Sequence, residues 1–90
     1  MSTATAHVPT ANPARLMRLL CKHWGHKFRV ALDDLRGEIS LPMGTCRLLC
    51  SEMLTVVLDG DAEQMPRFKQ VVDDHLRRMA GKETLVIEWT

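Results

Sequence analysis

Between Cys21 and Lys27 the chain reads CKHWGHK, a thiol, two imidazoles and an indole in seven positions. Thiolate and neutral imidazole are the side chains that bind zinc, iron and copper, so the stretch invites a metal-site reading. Further donors lie elsewhere: Cys46 and Cys50 in TCRLLC, and His75 in DDHLRR. Spacing decides which of these can meet. On a helix, residues two apart are separated by about 200°, so Cys21 and His23 diverge and cannot grip one ion together. Cys46 and Cys50, four residues apart on a strand, stand about 13 Å from one another along it, which also rules out a bridge between them. The plain reading makes the three cysteines small core residues. The sharper one needs a second helix. If the helices lie side by side, His23 and His75 can face each other and His26 can join from the loop. His23, His26 and His75 are then the candidate ligands for a divalent metal or a haem edge, with Cys21 and Cys46 as further donors.

Catalytic arrangements are not apparent. The acid pairs Asp33-Asp34 and Asp73-Asp74 fall in a turn and on a solvated helix face, and neither is placed as an acid/base couple. The chain has no glycine-rich phosphate loop and no nucleophile elbow. An enzyme is therefore the least supported of the functional classes.

The elements that would position these side chains follow from periodicity. TATAHVP alternates, with Ala4, Ala6 and Val8 on one face, and reads as a strand closed by Pro9. Asn12 before Pro13 is a helix start: an N-cap, then a proline whose missing N–H is not needed. The helix runs to about Trp24, and Gly25 is the expected C′ residue. Its apolar centre is Leu16, Met17, Leu20 and Trp24, its solvent side Arg15, Arg18 and Lys22. FRVALDD, EISL, TCRLLC and MLTVVL then alternate over four strands joined by short links, an antiparallel meander. Met65, Phe68, Val72, His75, Leu76 and Met79 recur at helical intervals, with Pro66 in the first turn and Gly81 as the stop. TLVIEWT is expected to be a last strand, Leu85, Ile87 and Trp89 facing inward. Both Trp24 and Trp89 should be largely buried. The order β-α-β-β-β-β-α-β predicts an α+β fold, one antiparallel sheet with both helices packed on one face, TATA-binding-protein-like or helix-grip-like in its sequence of elements.

Composition bounds the partners. Ninety residues suit a single domain, 1–90, with 46% hydrophobic and 26% charged residues. A net charge of +1 gives no basic surplus for nucleic acid. No apolar run nears the roughly 18 residues of a membrane span, so no membrane insertion is expected. MSTATAHVPT lacks the basic start and apolar stretch of a secretory signal, and three cysteines make no paired framework. These features lead to a cytoplasmic expectation.

Taken together, TATAHVPT, NPARLMRLLCKHWGHK, GEISLPMGTCRL, VVDDHLRRMA and LVIEW resemble the bacterial domain-of-unknown-function family 2218 over essentially the whole chain. The most specific parts are L-C-x-H-x-x-H-K over Leu20–Lys27, Gly44 to Cys46, His75-Leu76 and Trp89. Domains of this kind are found joined to siderophore-interacting, flavin-binding reductases. The resemblance thus implies a non-enzymatic accessory or binding module tied to iron or siderophore handling, with such a reductase or another iron-uptake protein as partner. It also gives Cys21, His23, His26, Cys46 and His75 a shared significance, structural or functional. An aldolase label carried by some relatives finds no support, because the chain is far below the roughly 200 residues of a TIM barrel.

Overall fold

Asn12 opens the first helix as its chemistry dictates: its side-chain oxygen accepts from the Arg15 N–H at 3.1 Å, and Pro13 occupies the first turn. The computed structural model describes residues 1–90. The elements are β1 (Ser2–Val8), α1 (Pro13–Gly25), β2 (Arg29–Leu32), β3 (Arg36–Leu41), β4 (Gly44–Cys50), β5 (Leu54–Gly60) and α2 (Met65–Ala80). The fold is α+β, a five-stranded antiparallel sheet in the order β1-β5-β4-β3-β2 with two helices on one of its faces.

Alternation fixes which face is covered. Ala4, Ala6 and Val8 of β1, Ile39 of β3, Cys46 and Leu48 of β4, and Leu54, Val56 and Leu58 of β5 are all buried. They pack with Leu16, Met17, Leu20, Cys21 and Trp24 of α1 and with Met65, Phe68, Val72, Leu76 and Ala80 of α2 into one core. Close approach sets two glycines. At Gly37 a Cβ would come within 2.9 Å of the Cys21 sulfur, so α1 sits down on β3 where a side chain is missing. Gly44 has φ +146°, and a Cβ there would run into the Asp59 carbonyl of the paired strand β5.

Two boundaries differ from the sequence reading. Gly25 is the last residue of α1 and does not adopt a left-handed stop; His26 follows with helical φ −71°, and the Lys27 and Phe28 N–H groups both donate to the Trp24 carbonyl, at 3.0 and 2.8 Å. Gly81 does end α2 with positive φ, 64°. The larger difference lies at the C-terminus. Residues 84–90 run beside β1 but form no strand: only Thr90 exchanges backbone hydrogen bonds with Thr5, at 2.9 and 3.1 Å. The start of the segment is held elsewhere. The Glu83 carboxylate accepts from the Thr10 hydroxyl at 2.8 Å and the Ala11 N–H at 3.0 Å, and the Arg77 guanidinium donates to the Leu85 carbonyl at 2.8 Å. Side-chain tethers replace the ladder there. The inward face survives in part: Leu85 is buried, while Ile87 and Trp89 are half-buried against the core. Trp89 is thus less covered than its alternation implies, although its indole Nε1 is enclosed and has no hydrogen-bond partner.

Candidate functional site

The interface between the helices joins two of the histidines singled out by the sequence. His23 leaves the edge of α1 and His75 the edge of α2, and their ring centroids lie 5.0 Å apart. The Trp24 indole lies against His75 at 4.7 Å, tilted by 38°. The Nδ1 of His75 stands 2.7 Å from the Val71 carbonyl, one turn earlier on α2. A carbonyl can only accept, so Nδ1 carries the proton and Nε2 of the neutral ring keeps its lone pair. His75 is half-buried and His23 exposed. His26, in the α1–β2 connection, is exposed, and no group of three or more His, Cys, Asp or Glu residues is gathered closely enough to hold a metal ion. The helix pair therefore presents two imidazoles.

Cys21 points the other way, as the helical spacing requires, against Gly37 of β3. All three thiols are free. Burial pushes the Cys21 thiol up to about 11, with the nearby Cys50 adding to the effect. Burial likewise pushes Cys46 up to about 12, reinforced by Cys21. Cys50, half-buried, donates toward the Met17 sulfur at 3.6 Å; burial raises its pKa, and Arg18 opposes the shift. Burial thus favours the protonated form of these thiols, the opposite of the setting that activates a reactive cysteine.

A third feature escaped the sequence reading. On the face of the sheet that no helix covers, β2, β3, β4 and β5 enclose an open depression of about 750 Å³. Ala31, Leu49 and Val57 supply apolar lining, and Asp33, Arg36, Glu38 and Arg47 supply charge. Arg47 is paired with Asp59, which also accepts from the Thr3 hydroxyl at 2.7 Å. Arg36 takes part in neither of the two salt bridges of the molecule. The available signal was the outward half of the same alternation: Leu49 and Val57 are apolar residues on a face where Thr3, Thr5, His7 and Thr55 are polar.

These features define a small two-layer α+β domain with one packed and one open sheet face. The chain belongs to the family described as "Uncharacterized protein conserved in bacteria (DUF2218)", whose model matches residues 5–90. It is similar to a solved structure, the NMR structure of PA4090 from Pseudomonas aeruginosa: 41% identity, TM-score 0.81, covering 100% of this chain and 96% of that one. No functionally curated protein matches it.

Proposed function

We propose that the domain is a non-enzymatic accessory or binding module of iron or siderophore handling, and that it binds on the open sheet face. The observation that supports this reading is the depression there, where guanidinium groups of Arg36 and Arg47 rise beside Leu49 and Val57. Arg47 is paired with Asp59 and the lining also carries Asp33 and Glu38, so it is the Arg36 guanidinium beside Leu49 and Val57 that suits an anionic ligand with a planar aromatic group such as a catecholate ring, since guanidinium combines charge with planar stacking. The partner would be a siderophore-interacting reductase or another iron-uptake protein, as in the joined arrangement that family resemblance implies. The link to iron comes from that resemblance. The test is an amide NMR titration with gallium complexes of a catecholate and a hydroxamate siderophore, and with a siderophore-interacting reductase. Shifts concentrated on Ala31, Arg36, Arg47, Leu49 and Val57 are expected. Shifts confined to the helical side, or none with any of these probes, would rule the reading out.

A second reading is favoured by the 5.0 Å approach of His23 and His75. Two imidazoles can take two positions of a divalent metal or stand at a haem edge, with His26 as a third donor after a rearrangement of the loop. Because imidazole ligands must be neutral, such binding weakens below about pH 6. Titration with zinc, iron and copper salts, read on the histidine ring signals, should move His23 and His75 together. Metal binding that persists without these histidines would exclude it.

A further inference from the structure

The sheet has two edges, and only one is occupied. At β1 the C-terminal segment docks through Thr90. At the other end β2 has β3 on one side and no strand on the other. The Asp33 N–H donates to the Arg36 carbonyl at 2.9 Å, and these residues continue the β2–β3 register of Arg29 with Ser40 and Ala31 with Glu38. Alternation then turns the N–H and C=O groups of Arg29 and Ala31 inward to β3, and those of Val30 and Leu32 outward to the free edge. Leu32 is 48% exposed. The strand carries no proline or bulge, and an open edge of this kind is a template for another strand.

We infer that β2 pairs antiparallel with β2 of a second copy of this chain, about a two-fold axis at Ala31, joining the two sheets into one. Charge selects this register. With the axis at Ala31, Val30 and Leu32 form the hydrogen-bonded pairs, which matches their outward backbone groups. The small Ala31 faces its own copy at the closest approach. Arg29 then stands opposite the partner's Asp33, on the same face, twice. An axis at Arg29 or Asp33 would set like charges face to face, and one at Leu32 leaves both charges opposite uncharged residues; one at Val30 leaves Arg29 opposite Ala31 and sets Asp33 against Lys27, which lies in the turn after α1 and outside the strand. Asp33 is ready for the role: its Oδ1 accepts from the Leu35 and Arg36 N–H groups at 2.9 and 2.8 Å, which leaves Oδ2 unengaged. Those backbone donors also hold its pKa below the usual value, so the carboxylate is charged at neutral pH. On the helix side, Val30 meets the partner's Leu32 and covers it. With a self-complementary patch this short, the dimer falls at the weak end of protein association. The inference does not rest on the ligand reading, although the two depressions would lie side by side on the joined face.

Sedimentation equilibrium of the full chain over a concentration series tests it, with NMR on a mixture of labelled and unlabelled protein. A reversible monomer–dimer equilibrium is expected, with intermolecular contacts between Ala31 and Ala31 and between Val30 and Leu32. Arg29→Asp places like charges opposite one another at both ends of the pair and should weaken association roughly tenfold or more. Leu32→Pro removes an outward N–H that β3 does not use, so it should abolish dimerisation while the amide spectrum of the monomer stays folded. A chain that stays monomeric at millimolar concentration would overturn the inference. So would a dimer unaffected by both substitutions, or intermolecular contacts on another surface.

Discussion

The thiols show at single-residue scale how environment overrides side-chain type. Cys21 and Cys46 carry the groups that first suggested metal chemistry, yet both are buried, and burial raises them to about 11 and about 12. Native alkylation should therefore modify half-buried Cys50 first, with Cys21 and Cys46 labelled only on unfolding; equal rates at Cys46 and Cys50 would contradict the packing. The raised values also set a pH dependence. An unfolded thiol ionises near 9, the folded ones near 11 and 12. The native state thus holds protons that the unfolded chain has lost, and stability is full below about pH 9 and declines from there toward pH 11–12. Urea midpoints measured across that range should fall, and an unchanged midpoint would count against the buried thiols. Trp89 is the converse, a polar group enclosed without a partner. Trp89→Phe removes the orphaned N–H together with some apolar contact, so its cost should stay under about 1 kcal/mol. Trp89→Ala should cost roughly 2–3 kcal/mol, less than a fully buried ring, because the side chain is half-exposed.

Among the elements, the helices and hairpins were the most legible in sequence. Asn12-Pro13, the inward stripe Leu16, Met17, Leu20 and Trp24, and the alternation of Leu54, Val56 and Leu58 are each local signals that the packing reinforces. The last strand was misread because alternation reports only which side of a segment faces the core. Leu85, Ile87 and Trp89 satisfy that condition, but a ladder also needs a neighbour in register, and the tethers from Glu83 and Arg77 leave Thr90 as the single bonded residue. The meeting of His23 and His75 is legible in the sequence because both lie at the edges of apolar helix faces that pack side by side. The depression was not, because it is assembled from outward residues of separate strands and no stretch of the chain contains it. Glycines at element ends make a graded test. Gly44→Ala combines a positive φ with overlap on the Asp59 carbonyl and should cost roughly 3 kcal/mol or more, whereas Gly81→Ala meets open space and carries only backbone strain, roughly 1–2 kcal/mol. Comparable losses in urea denaturation would mean that the β4–β5 approach is looser than described.

Across the whole molecule the sheet order separates near neighbours in sequence from distant ones. From β2 to β5 every strand pairs with the next through a short link, while β1 pairs with β5, as in Val8 with Leu54 and Ser2 with Gly60. The Thr5–Thr90 hydrogen bonds join points still farther apart along the chain. Closing long loops costs entropy before any contact repays it, so the order of assembly is written into this topology. The meander with α1 and α2 should form the folding nucleus, and β1 with the C-terminal segment should dock after the rate-limiting barrier. Stopped-flow kinetics of Ala6→Gly in β1 and Ile87→Ala in the terminal segment should then show faster unfolding with nearly unchanged refolding, and Leu48→Ala in β4 should slow refolding. Slowed refolding in the first two would place β1 in the nucleus instead. On that order the C-terminal segment would serve as a kinetic latch: the last contact to form and the first to let go, it would set how long the native state persists once formed.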